Sequence, residues 1–335
     1  MMLHPDHEWS LIIFNILGQM SVGAFLALGI AHFYAVRKAG LRHADLLSTR
    51  ALLALGPVLV LGMLAVFGHV GNPERALNML SNLDTSWLAR EVAAYGAFLV
   101  VGGAFAVLQA LTFFRPDETL PVSATVKAAL PKVRIALAWI AAVFGILFVL
   151  SAAMIYYDPR LAARQTGWAH PQTLIMFFVD MGLMGVLALG VGFVTNYLWV
   201  QRRGTLEAED MQIQTGLLRD SIKGLSFAAV ALIGVFFVSI PIYLVYLGAE
   251  GGTLTQAIVT MLYTDFATLF FLRLFLAFTG AGILAVFAWY TAMQERRQTL
   301  MYLLVVGAFV CAIVAEVIGR YLFYGRNATM LIGGP

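Results

Sequence analysis

The stretch Leu11–Ala35, LIIFNILGQMSVGAFLALGIAHFYA, contains no Asp, Glu, Lys or Arg. An α-helix rises 1.5 Å per residue, so about 20 such residues cross a hydrocarbon core near 30 Å. Leu11–Ala35 therefore reads as a membrane-spanning helix. Further apolar runs lie near 50–68, 89–113, 134–157, 173–200, 223–247, 266–291 and 299–322. None shows the apolar/polar alternation that a barrel strand requires. The expected fold is an all-α integral membrane protein, with residues 1–335 forming one transmembrane domain, a bundle of eight helices.

Composition supports this class. Hydrophobic residues make up 61% of the chain and charged residues 12%, against roughly 45–50% and 25% in soluble domains. The excess apolar surface needs lipid as its solvent. Met1–Ser10 has no Lys or Arg, and the run that follows is too long for the apolar region of a secretory signal. The first run is thus expected to remain as a span rather than be cleaved. The net charge of +3 is spread over short loops, which gives no footprint for nucleic acid. With Cys311 as the sole cysteine, an internal disulfide or a thiolate-ligated iron–sulfur cluster is excluded.

Positive residues set the expected orientation. Arg37, Lys38, Arg42, Arg50, Arg115, Lys127, Lys132, Arg134, Arg202, Arg203, Arg219, Lys223, Arg296 and Arg297 share one side. The other side holds Arg75, Arg90, Arg160, Arg164, Arg320 and Arg326. Cytoplasmic loops are the richer in Lys and Arg, so both termini should be periplasmic. Trp9, Trp87 and Trp168 then fall at the outer interface, and Trp139, Trp199 and Trp289 at the inner one. The even number of spans also permits two four-helix halves of like orientation.

Ionisable groups within a span cost roughly 2.5–3.5 kcal/mol on insertion scales, so each needs a reason. Asp180, Arg273, Glu316, Arg320 and the amide of Gln19 all fall toward the outer ends of their spans, leaving the inner half almost free of such groups. Glu316 and Arg320, at i and i+4, read first as a structural pair, with Arg273 answering Asp180 or Glu316. Two further groups sit at the outer boundary: His69, ending the second span, and Glu91, opening the third after Ser86-Trp87. Asn72-Pro73 reads as an N-cap and first-turn proline of a short interfacial helix carrying Arg75 and Asn78. Two readings of His69 and Glu91 stay open from spacing alone. They are helix-end residues stabilised by the helix dipole, or they are functional.

The functional reading is quinol oxidation. That chemistry needs an apolar slot, partners for two hydroxyls, and groups that take up two protons near neutral pH. His69 would accept a hydrogen bond from one hydroxyl, and Glu91 would take a proton and pass it to the outer water. Arg75 would balance the carboxylate or hold the second oxygen, with Asn78 and Gln19 completing the candidate binding set. No metal site is expected, since His4-x-x-His7 lies in a short polar tail. Haem would need two facing axial ligands, and His32 and His69 lie at opposite ends of their spans. His170 precedes Pro171 and reads as loop.

Several segments carry a family resemblance. They are His7-Glu8-Trp9-Ser10-Leu11-Ile12-Ile13-Phe14 with Gly18-Gln19, His69-Val70-Gly71-Asn72-Pro73 with Arg75-Ala76 and Asn78, and Glu91-Val92-Ala93. Asp265-Phe266 with Leu269 and Arg273 follows, then Glu316-Val317-Ile318-Gly319-Arg320 and Phe323-Tyr324-Gly325. In that order they resemble the membrane anchor subunit of the anaerobic dimethyl sulfoxide reductase family. The resemblance implies a subunit of the bacterial inner membrane that serves anaerobic respiration and has no haem or iron–sulfur cluster of its own. It would hold a molybdopterin catalytic subunit and a four-cluster iron–sulfur subunit. It also implies menaquinol oxidation at the positions of His69 and Glu91. The stretches 114–133 and 201–222 look longer than the family pattern, and Asp180 matches no family motif. The other expectations open at this stage are a solute transporter, a scaffold that only recruits partners, and an anchor running toward quinone reduction.

Overall fold

The structure is a computed structural model that describes residues 8–68, 73–114, 123–158, 168–204, 206–250, 253–294 and 297–328. Its helices are α1 (Trp9–Ala39), α2 (Leu41–Phe67), a 3-10 segment (Pro73–Asn82), α3 (Trp87–Phe114), α4 (Ala124–Tyr157), α5 (Pro171–Arg203), α6 (Ala208–Glu250) and α7 (Thr253–Tyr263). They continue with α8 (Ala267–Ala277), a π segment (Phe278–Leu284), α9 (Ala285–Ala292) and α10 (Gln298–Ala328). Among the described residues, eight spans are long and apolar enough to cross a membrane, α8, the π segment and α9 together forming the seventh. Ile30, Val100, Trp139 and Val245 are each over 70% exposed. Side chains of that kind on the outside of a bundle need lipid around them.

Local chemistry sets several helix starts. Ser86 Oγ accepts from Ala89 N at 3.3 Å at the head of α3. At the head of α5, His170 Nδ1 accepts from Gln172 N at 3.0 Å and Pro171 takes the first turn. The residue expected to be loop is thus the N-cap, the position where a proline at N1 costs no hydrogen bond.

Two helices organise the rest. α1 and α5 bury 72% and 56% of their apolar stretches, whereas the other spans bury 17–33%. They cross at Gly23 and Gly185. A methyl group at Gly23 would collide with the Met181 carbonyl oxygen, and one at Gly185 with the backbone of Gly23 and Ala24. Only glycine at both positions lets the backbones touch, as in other close membrane-helix pairs. Gly23 lies fourteen residues past Trp9, and Gly185 fourteen past Pro171.

That matching offset belongs to a wider repetition. The neighbour relations of spans one to four recur among spans five to eight: first with second, second with third, third with fourth and first with fourth. The two sets meet reciprocally, α4 against α5 and α10 against α1. The bundle therefore has two similarly wired four-helix halves, with the glycine crossing between them. The Trp9 and Tyr321 rings lie 6.1 Å apart, tilted, so the start of α1 and the end of α10 share one end of the bundle, here called the terminus end.

The opposite end differs from the sequence expectation. It is not free of buried charge. Arg134 was expected among the loop cations and Asp45 lies outside the expected spans, but α2 begins at Leu41 and α4 at Ala124, so both are helical and buried. Arg134 donates to both oxygens of Asp45, at 2.7 and 3.2 Å, and His32 Nε2 lies 2.9 Å from Asp45 Oδ1. Asp220 bridges Lys38 and Lys223, and Asp210 meets Arg42. The long stretch 201–222 is largely the first turns of α6, which carry these acids.

The crossing yields a direct test. Gly23→Val should strongly lower the thermal midpoint of the detergent-solubilised protein, since overpacking costs about 1–3 kcal/mol even where side chains can yield, and here backbone is struck. Gly29→Ala, with open space around it, should leave the midpoint unchanged or slightly higher.

Candidate functional site

The buried polar groups of the terminus end form one connected network. Arg320, 3% exposed, is its hub. Its Nε donates to Glu316 Oε1 at 2.6 Å, and its Nη2 donates to Gln19 Oε1 at 2.6 Å and to Asp180 Oδ2 at 3.1 Å. The guanidinium also lies over the Phe177 ring, 4.4 Å from its centroid. Arg273 Nη2 approaches Glu316 Oε2 at 4.0 Å and its guanidinium faces Phe236. Two arginines and two carboxylates leave the group neutral, the condition under which charge survives in a low-dielectric interior.

The glycine crossing explains why these side chains meet. Gln19 lies one turn from Gly23, and Asp180 lies just over one turn from Gly185. Close approach of α1 and α5 therefore brings Gln19 and Asp180 to a single guanidinium from α10. The i, i+4 pairing of Glu316 with Arg320 is as expected. Arg273 answers Glu316, and Asp180 is taken by Arg320.

From Gln19 the network continues toward the terminus end. Gln19 Nε2 donates to Asn15 Oδ1 at 3.3 Å, and Asn15 Nδ2 donates to the Tyr324 hydroxyl at 3.0 Å and to Leu11 O at 3.1 Å. The Tyr324 and Tyr156 hydroxyls are 3.0 Å apart. Trp168, Phe177 and Phe323 enclose the Tyr156 ring at centroid distances of 5.0–5.8 Å. Trp168 itself donates from Nε1 to Phe323 O at 3.0 Å.

Glu91 stands beside this chain. It is 5% exposed on the second turn of α3 and has no hydrogen-bond or ion-pair partner among the described residues. Its carboxyl is within electrostatic range of the Tyr156 and Tyr324 hydroxyls. The α3–α4 hairpin accounts for the proximity. Tyr95 packs edge-on against Phe148 at 4.9 Å, and Glu91 lies one turn beyond Tyr95 toward the end where Tyr156 closes α4. Leaving a carboxyl buried without a partner costs several kcal/mol if ionised, so its retention points to use.

The remaining candidates divide. Gln19 is part of the network. Asn78 is exposed in the 3-10 segment, where its carbonyl accepts from Ser81 Oγ at 2.7 Å. Arg75 belongs to the same segment, which packs against α3, but its side chain lies outside the described residues. His69 also lies outside them. A cavity of about 90 Å³ opens next to the network between α5, α6, α8 and α10, lined by Gln172, Asp180, Tyr243, Arg273 and Arg320 among others.

A family model described as the DMSO reductase anchor subunit (DmsC) matches residues 2–326, nearly the whole chain. The chain belongs to that family. Among curated relatives it is similar to YnfH, a subunit of an anaerobic dimethyl sulfoxide reductase of Escherichia coli (strain K12), 26% identical over 97% of this chain and 96% of the relative. It is also similar to the C subunit of the anaerobic dimethyl sulfoxide reductase of the same organism, 25% identical over 97% and 96%. With eight apolar spans and this membership, the DmsC-family protein is a multi-pass membrane protein.

Sequence reading of this DmsC-family protein did not single out Asn15, Tyr156 or a role for Tyr324. Asn15-x-x-x-Gln19 carried a usable signal, two amides one turn apart on the same face of an otherwise apolar span. Tyr156 carried none, because a tyrosine closing a span is the ordinary interfacial residue.

The hub predicts a specific pattern of stability. Arg320→Met leaves Asp180 and Glu316 with one cation and should destabilise the protein by about 3–5 kcal/mol, the usual cost of breaking a buried pair. Adding Asp180→Leu restores neutrality through Arg273 and Glu316. The double variant should recover part of the loss in thermal melts.

Proposed function

We propose that this protein anchors a respiratory reductase in the bacterial inner membrane and oxidises menaquinol at the terminus end of the bundle. The buried, unpartnered Glu91 carboxyl carries the reading, together with membership of the DmsC family over almost the full chain. In this reading the terminus end faces the periplasm, because the opposite end gathers most of the Lys and Arg.

Oxidation converts one quinol to a quinone with loss of two electrons and two protons. Glu91 takes one proton from a ring hydroxyl and releases it toward the periplasmic water. His69, two residues past α2 in sequence, takes the other, and Arg75 balances the ionised carboxylate that accepts the first proton. Gln19 and Asn78 complete the polar surround. The electrons leave through an iron–sulfur partner to a molybdopterin catalytic subunit, since the chain offers a single cysteine and no metal-binding cluster among its described residues. Protons are released on the side where the reductase consumes them, so turnover moves no net charge across the membrane.

Two experiments check the reading. A mild-detergent pull-down of the tagged protein from native membranes should recover molybdenum and roughly sixteen irons per complex, as four clusters of four require. A metal-free product would sink the anchor reading. In the assembled complex, Glu91→Gln and His69→Ala should each cut quinol-dependent reduction at least about a hundredfold, as loss of a general base does, while dye-driven reduction stays normal. Wild-type quinol activity in both variants would remove these residues from the site.

A further inference from the structure

The polarity of the hydrogen-bond chain from Arg320 to the Tyr324 oxygen is chemically fixed. A guanidinium only donates, so the Gln19 group facing Arg320 is its oxygen. The Gln19 nitrogen must then donate to Asn15, which presents its oxygen to Gln19 and its nitrogen to Leu11 O and Tyr324. Either hydroxyl of the Tyr324–Tyr156 pair can donate to the other, and the arrangement that leaves the Tyr156 O–H for a substrate has Tyr324 donating. In that arrangement every donor along the line runs from the cation toward α4. The last O–H, that of Tyr156, has no other acceptor among the described residues. Gln19, Asn15 and Tyr324 are 2%, 2% and 6% exposed, so water does not compete along the line.

From this geometry, and resting on the quinol reading above, we infer that Tyr156 is a further substrate-contacting residue whose hydroxyl donates to a quinol oxygen, with Tyr324, Asn15, Gln19 and Arg320 positioning it. The physical case is electrostatic. When Glu91 takes the ring proton, the O–H bond breaks and negative charge grows on the ring oxygen until the electron pair leaves for the iron–sulfur partner. A donor aimed at that oxygen stabilises it most while the charge exists. Hydrogen bonds in series polarise one another, so a line beginning at a cation strengthens its final donor. The Trp168, Phe177 and Phe323 rings around Tyr156 fix its direction and supply the apolar wall that a quinone ring needs.

The test uses the complete complex in native membranes, a soluble menaquinol analogue as donor, and dye-driven reduction as the assembly control. Tyr156→Phe should lower kcat/KM for the quinol about tenfold or more, with most of the loss in kcat and dye-driven rates unchanged. Tyr324→Phe keeps the Tyr156 hydroxyl but cuts the line behind it, and should lose several-fold in kcat. Wild-type kinetics in both variants, with Glu91→Gln still inactive, would overturn the inference and leave the quinol reading standing. A change in melting midpoint without a change in quinol kinetics would do the same. Loss in Tyr156→Phe but not in Tyr324→Phe would overturn the positioning line. Absence of quinol-dependent reduction by the wild-type complex would instead remove the parent reading.

Discussion

The close crossing of α1 and α5 is the constraint on which the rest of the bundle depends. In a bilayer, no hydrophobic gain accrues from bringing two apolar helices together, so association relies on packing and polar contacts. Gly23 and Gly185 let two backbones touch at one point. Everything near that point is then held close, including Gln19 one turn away on α1 and Asp180 just over one turn away on α5. A larger side chain at either glycine would part the helices and leave Arg320 without two of its three acceptors. Steric contact at the crossing therefore sets the electrostatics of the network beside it.

The two ends of the bundle use buried charge differently. At the end opposite the termini, Asp45 is closed off by Arg134 and His32, and the acids of α6 reach the bases of α1 and α2. Those contacts tie helices together. The terminus end is also neutral, but its network is open. It runs out through two amides and two phenols and stops beside Glu91, whose carboxyl has no described partner. An unfinished buried network is costly, and such cost is found where chemistry needs it.

The two halves share their wiring but not their contents. The first half carries Glu91 and Tyr156. The second has Asp180, Arg273, Glu316 and Arg320, with a small cavity beside them. A shared scaffold with different polar residues lets one packing solution carry the proposed site on one side and a charge network on the other. The line from Arg320 to Tyr156 crosses between the halves, so the charge in one supports the site proposed in the other.

The sequence by itself determined the membrane class, the eight spans, the pairing of Glu316 with Arg320, and the candidacy of Glu91. Apolar length, i, i+4 spacing and the cost of charge in lipid are local properties, readable from residues near one another in the chain. It also placed Gln19 among the residues that matter, without saying what it meets. Only the tertiary structure decided that Asp45 and Arg134 are buried together, because helix starts several residues earlier than the apolar runs turned expected loop into core. The same is true of the partner chosen by each arginine, and of the line from Gln19 through Asn15 and Tyr324 to Tyr156. Asn15 and Tyr324 are 309 positions apart, and no local rule relates them. Contact between such residues follows from how helices cross, which depends on side-chain volume at two glycines far from either.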